Sequence, residues 1–200
     1  FSTGYADTIK KTELTPDHVM FSGSIGKTYA VAVLMQLVDE EKVNPDQRFI
    51  DYFPDVVWLR QLPNINQITV KMLLQHTSGL PRYILAQAVW DSLQANPDKV
   101  WTYKDRLGHL CGMEPVHEAG KGWSYSDSNY LLIGMLIEKI TGNDYYAEVK
   151  SRIINPLNLR NTYPAISRSI PDLPSGYSDL ESFFRMPGTV VVNGRYAFNP

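Results

Sequence analysis

Apolar and polar positions along the chain settle into two strong helical patterns and several weaker ones. From Ser24 to about Glu41, Ala30, Val31, Ala32, Val33, Leu34, Met35, Leu37 and Val38 cover most of a helical circumference. Such a pattern predicts a helix sunk in a core rather than laid on a surface. Asp39-Glu40-Glu41-Lys42 returns it to solvent, and Asn44-Pro45 stops it. A second helix is expected from about Ser126 to Thr141, with Tyr130, Leu131, Ile133, Leu136, Ile137 and Ile140 on a broad face and Gly142 as its C-terminal stop. Asp144 is placed to cap a third, roughly Tyr145 to Ile154, which Asn155-Pro156 ends.

The remaining segments carry shorter signals. Residues 1–23 read as the end of a sheet followed by a loop, with Thr15-Pro16-Asp17 as turn chemistry. Phe49 to Leu62 reads as packed loop with short helical turns, Ile68-Thr69-Val70 as a short strand, Lys71 to Gln75 as a helical turn and Ala86 to Leu93 as a helix. Residues 94–120 lack a period and suit a loop-rich lobe over a cleft. Beyond Tyr163, prolines at 164, 171, 174 and 187 predict loop, with a strand at Thr189 to Val192. No internal repeat or low-complexity tract is present. Buried helices, loops and a few short strands predict helices packed on a sheet. The strands are too few to complete that sheet, so the chain is expected to be incomplete.

Composition narrows the function classes. At 44% hydrophobic and 20% charged residues the chain can build a globular core. A net charge of −2 argues against nucleic acid as a partner, since that needs a basic face. The longest near-apolar runs, Tyr29 to Met35 and Tyr130 to Ile137, fall short of the roughly 20 residues that span a bilayer. Phe1-Ser2-Thr3-Gly4 is not a secretory signal, although a trimmed chain would begin the same way. A single cysteine, Cys111, excludes an internal disulfide. Four scattered histidines without close carboxylate or thiolate neighbours do not point to a metal site.

Two segments carry chemistry. In Ser24-Ile25-Gly26-Lys27, serine stands where the buried helix begins, and residues three apart share a face. The Lys27 ammonium can therefore reach the Ser24 hydroxyl, and desolvation against an apolar helix is expected to depress its pKa. Taken alone, a serine and lysine three apart are also met by chance, and Ser24 as a plain N-cap is the commoner case. The second segment is Gly122-Trp123-Ser124-Tyr125-Ser126-Asp127-Ser128-Asn129-Tyr130. A tyrosine at a helix start, with cations beside it, can serve as general base. Equally, Tyr125 can be a packed aromatic while Ser126 or Asp127 caps the helix.

Together these segments resemble the superfamily of serine β-lactamases, penicillin-binding D-alanyl-D-alanine peptidases and esterases, in its class C-like branch. Its S-x-x-K motif is similar to Ser24-Ile25-Gly26-Lys27-Thr28, and its tyrosine motif falls on Tyr125-Ser126-Asp127. Leu73 to Pro81, Ile154 to Leu159 and Gly4 to Asp7 resemble further family stretches in the same order, so the likeness covers about residues 4–164. A structural protein with a chance S-x-x-K would need all five matches as coincidences. Two departures stand out. Asp127 occupies a place where asparagine is usual. The family's third motif (lysine or histidine, threonine or serine, then glycine) is not matched, and in the family it falls past Pro200. His76-Thr77-Ser78-Gly79 has an extra residue and the wrong place in the order.

The resemblance implies an α/β fold of α+β type: an antiparallel sheet flanked by helices with an all-helical lobe, β-lactamase/transpeptidase-like, truncated at both ends. Residues 1–200 would form the central part of one catalytic domain, with about 24–164 carrying the nucleophile helix and the lobe. It implies two-step acyl transfer in which Ser24 is the nucleophile and Lys27 and Tyr125 move its proton, with Ser126 and Asp127 contacting substrate or the lysine. No cofactor and no metal are implied. The substrates would be small esters, D-amino-acid peptides or amides, or β-lactams, with the first two preferred. Trp123 and Tyr130 are expected to pack, and His76 to be structural. Family habit places such proteins in the periplasm or at the cell surface. The rival reading is a non-catalytic sensor or binding domain that keeps the pocket. Nothing in the sequence sets the oligomeric state.

Overall fold

The computed structural model describes residues 1–167, 169–177, 189–192 and 195–196. It divides into two compact units, one of residues 1–23, 91–100 and 163–200 and the other of residues 24–90 and 101–162. Pro187, expected in loop, lies outside the described residues.

The first unit holds the strands. β1 (Tyr5–Asp7) pairs antiparallel with β2 (Thr12–Glu13). The turn between them is organised by Asp7, whose carboxylate accepts the backbone N–H groups of Ile9 and Lys10, both at 2.9 Å. Short polar side chains favour turns in this way because they replace backbone partners locally. β3 (Gly176–Tyr177), β4 (Thr189–Val192) and β5 (Arg195–Tyr196) form a second antiparallel set in the order β3-β4-β5. The expected strand at 189–192 is present. The Ser175 N–H donates to the Ala6 carbonyl at 2.8 Å, joining the two ends of this unit.

The second unit is helical. A 3-10 turn over Gly23–Gly26 leads into α1 (Lys27–Asp39), which buries Ala30, Val33, Leu34 and Leu37. Met35 is 45% exposed, so one stripe of α1 meets solvent and the helix is less enclosed than its composition predicts. α2 (Val70–Leu74) and α5 (Asp127–Thr141) complete the centre, with α5 packed on both α1 and α2. Each Leu or Ile buried here (Leu73, Leu132, Ile133, Leu136, Ile137 among them) contributes about 1.5–3 kcal/mol of transfer free energy. Gly142 ends α5 in the left-handed region at φ 73°, as its place after the periodic run predicts.

Two expectations need correction. Ile68-Thr69-Val70 is not a strand: Thr69 makes a single bridge with Arg48, and its hydroxyl accepts the Met72 N–H at 3.3 Å as the N-cap of α2. Residues 94–120 are more ordered than their lack of period implies. They include the end of α3 (Gln87–Ala95), all of α4 (Tyr103–Leu107) and a 3-10 turn at Gly108–Leu110, which together bury Leu107 and Leu110. Thr102 and Asp105 form a reciprocal capping box that starts α4.

Asp144 caps α6 (Tyr145–Val149) by accepting from Tyr146 and Ala147, and the helix widens into a π-helical turn over Lys150–Ile154. Arg152, on that turn, bonds Glu148 at 2.6 Å and also pairs with Glu40 at the end of α1. No helix among the described residues is long and apolar enough to cross a membrane.

Candidate active site

The 3-10 turn before α1 places Ser24 at its surface, and Gly23 reaches φ 52° to make that turn. One turn on, the Lys27 Nζ lies 3.3 Å from Ser24 Oγ. The other partner of Ser24 comes from far along the chain: the Tyr125 hydroxyl sits 2.7 Å from Ser24 Oγ. Lys27 Nζ also stands 3.3 Å from Asp127 Oδ1 and over the rings of Tyr125 and Tyr130, at 5.2 and 5.5 Å from their centroids. One hydroxyl, one ammonium and one phenol thus converge on a single point.

A buried polar network holds Tyr125 there. Ser126, next in the chain, precedes α5 with extended backbone, and its N–H donates to His76 Nδ1 at 3.1 Å. Asn129 donates to the same nitrogen at 3.0 Å and accepts the Ser78 hydroxyl at 2.6 Å. With Nδ1 receiving two donors, the proton of the neutral ring belongs on Nε2. Burial pushes the His76 pKa below its ordinary value, and the Lys27 charge pushes it further against the opposing pull of Asp127. The imidazole packs at 4.6 Å from the Tyr125 ring centroid and at 5.4 Å from that of Tyr130. The loop carrying His76 is closed by Gly79, at φ 73°, where a Cβ would stand 2.0 Å from the His117 carbonyl oxygen. Only glycine fits there.

The Beta-lactamase family matches residues 1–177. The chain belongs to that family. Penicillin-binding protein 4* of Bacillus subtilis (strain 168) is 28% identical over 180 residues, covering 88% of this chain and 37% of that protein. Among solved structures, a D-stereospecific amidohydrolase from Streptomyces sp. is similar at 32% identity and TM-score 0.75, covering 88% of this chain and 52% of that one. The D-amino acid amidase from Ochrobactrum anthropi SV3 gives 28% identity and TM-score 0.74, over 98% of this chain and 53% of its own. The chain therefore spans about a third of that penicillin-binding protein and about half of those two solved chains. The fold class is the one expected, of β-lactamase/transpeptidase type, and an amidohydrolase and an amidase among the relatives make this a family of hydrolases.

Seen as a β-lactamase-family site, the cluster departs from three sequence expectations. The Lys27 pKa is raised, not depressed: burial lowers it, but the hydrogen bonds and charges of Tyr125 and Asp127 together outweigh that. Lys27 is therefore cationic at rest. The Ser126 hydroxyl is turned inward: the residue is 0% exposed and donates to the Pro81 carbonyl at 3.0 Å. Trp123 is 67% exposed rather than packed, its ring centroid 6.3 Å from that of His76 in an edge-on arrangement. Tyr130 packs against the core, as expected. Asp127 contacts the lysine, one of the two roles expected of it.

Sequence reading missed Arg82, which holds the second oxygen of Asp127 through Nε and Nη2, both at 2.9 Å. The one signal available was place: Arg82 directly follows the family-like loop that ends at Pro81.

Proposed function

We propose that the protein is a serine hydrolase that forms an acyl-enzyme on Ser24, with D-amino-acid amides and peptides or small esters as substrates. Residues 1–200 are then the central part of one catalytic domain. The observation carrying this reading is the convergence of the Tyr125 hydroxyl at 2.7 Å and Lys27 Nζ at 3.3 Å on Ser24 Oγ. Two groups able to hold a proton within reach of a hydroxyl form the arrangement that activates a nucleophile. The D-configured substrate class is supported by the names of the amidohydrolase and the amidase. A periplasmic or cell-surface location accords with the penicillin-binding relative.

In the first step Ser24 Oγ bonds to the substrate carbonyl carbon, and its proton passes to the Lys27–Tyr125 pair. Collapse of the tetrahedral intermediate breaks the bond to the leaving amine or alcohol, which takes that proton. Water then attacks the ester by the reverse relay, and the acid leaves. With Lys27 cationic at rest, the relay acts once one proton has left the Lys27–Tyr125 pair. Asp127 fixes the lysine at 3.3 Å.

The test is mass spectrometry of the full-length protein after exposure to a fluorophosphonate and, separately, to a penicillin, alongside turnover of D- and L-amino-acid amides. A single adduct on the Ser24 peptide, absent in Ser24→Ala and weakened in Lys27→Ala, is the expected result, with the D-amide hydrolysed faster. Penicillin labelling would add β-lactams to the ligands. A folded protein without any adduct would overturn the reading and leave a non-catalytic binding domain.

A further inference from the structure

Asp127 divides its carboxylate between two cations: Oδ1 faces Lys27 and Oδ2 takes Nε and Nη2 of Arg82. Arg82 does not reach this place by chance of rotamer alone, because the backbone on both sides of it is pinned to the start of α5. The Pro81 carbonyl accepts the hydroxyls of Ser126 at 3.0 Å and Ser128 at 2.7 Å, while the Tyr83 N–H donates to Ser128 Oγ at 3.1 Å. The guanidinium carbon then lies 5.2 Å from the Tyr125 ring centroid, on the tyrosine whose hydroxyl meets Ser24. An arginine on an aromatic face and a carboxylate edge is held by charge and planarity together.

We propose that Arg82 is a positioning residue of the acylating centre, whose fixed positive charge offsets part of the pull of Asp127 on Lys27 and so lowers the pH at which the Lys27–Tyr125 pair gives up a proton. The proposal rests on the Ser24 reading above. An aspartate acting alone on Lys27 would hold the pair in its doubly protonated, unreactive form. With Arg82 on its other oxygen, the carboxylate keeps its hydrogen bond to the lysine while part of its pull on the ammonium is offset. The charged and titratable groups facing the pair are then Asp127 and Tyr130 from α5, Arg82 from its loop, and His76 from the loop after α2.

The experiment follows fluorophosphonate labelling of Ser24 in the full-length protein against pH, for wild type and Arg82→Gln, Arg82→Lys, Asp127→Asn and the Arg82→Gln/Asp127→Asn double variant. Ionisation of Tyr125, read as phenolate ultraviolet absorbance against a Tyr125→Phe control, gives a second measure that does not require turnover. In Arg82→Gln the midpoint should move alkaline by about one pH unit, a loss of about tenfold at neutral pH that high pH restores. Asp127→Asn should move it acid-ward, and the double variant should return it to near the wild-type value. Arg82→Lys keeps the charge and should keep the midpoint even where the rate falls. A lowered rate in Arg82→Gln with an unmoved midpoint would overturn the proposal and leave Arg82 a structural clamp. A folded wild type unlabelled at every pH would overturn the Ser24 reading and this proposal with it.

Discussion

Two demands meet at Tyr125: the ring must pack at 4.6 Å from His76, and the hydroxyl must stand 2.7 Å from Ser24 Oγ. They can be separated. Tyr125→Phe keeps the ring and removes the hydroxyl, so acylation of Ser24 should fall by about 10²–10⁴-fold, the usual span for losing one proton-transfer group. The urea midpoint should move by no more than about 1 kcal/mol equivalent, one hydrogen bond at the edge of solvent. Labelling rate and denaturation on the same preparations check both. A phenylalanine variant that labels at the wild-type rate would leave Lys27 as the sole proton acceptor. At this scale Ser24, Lys27, Tyr125 and Asp127 were legible because each lies in a short motif. Arg82 and the charged state of Lys27 were not, because they depend on partners 45 and 100 residues away from Asp127 and Lys27 in the chain. A motif records its own residues and is silent about the field that a folded neighbour imposes on them.

Among the elements, α1 and α6 are joined by charge as well as by apolar packing. Arg152 lies between Glu148, whose side chain is 7% exposed, and Glu40 at the end of α1, while Asn143 donates to the other Glu148 oxygen at 2.7 Å. Arg152→Ala would leave the Glu148 carboxylate buried without its cation, at a cost of about 3 kcal/mol. Replacing both members, as in Glu148→Gln/Arg152→Met, removes the stranded charge and should cost less than the single change. Urea denaturation of the two variants tests the order, and a double variant less stable than Arg152→Ala would contradict it. Helices of this length show in sequence because period 3.6 repeats several times, as in α1 and α5. α4 has five residues, too few for a period, and only the Thr102-x-x-Asp105 pair marked it. Ile68-Thr69-Val70 misled for a related reason. Its branched side chains favour strands, but the Thr69 hydroxyl was already committed to capping α2.

For the molecule as a whole, acid should act in two separable steps. His76 is held below its ordinary 6.5 by burial and by the Lys27 charge. The unfolded chain therefore takes up that proton first, and the stability present above about pH 6.5 is lost as pH falls below it. Protonation also costs the acceptor that His76 Nδ1 offers to Ser126 and Asn129, which hold the start of α5. Glu40 is pushed down from 4.5 to about 2 by its hydrogen bonds to Arg152 and Lys42. Its contribution is complete above pH 4.5 and disappears as pH falls towards about 2, modestly, since the pair faces solvent and salt screens it. The urea midpoint of the full-length protein should thus be level above neutrality, decline below pH 6.5 and decline again below pH 4.5. His76→Asn, which tolerates the φ of 58° and retains an acceptor, should flatten the first decline and spare the second. Glu40→Gln should lessen the second decline, of which Glu148, also lowered, against burial, by its bond to Arg152, keeps a share, and spare the first. If the first decline survives in His76→Asn, His76 does not carry it, and the network under Tyr125 is less sensitive to acid than its geometry implies. If it vanishes, one imidazole sets the order of the start of α5 in acid.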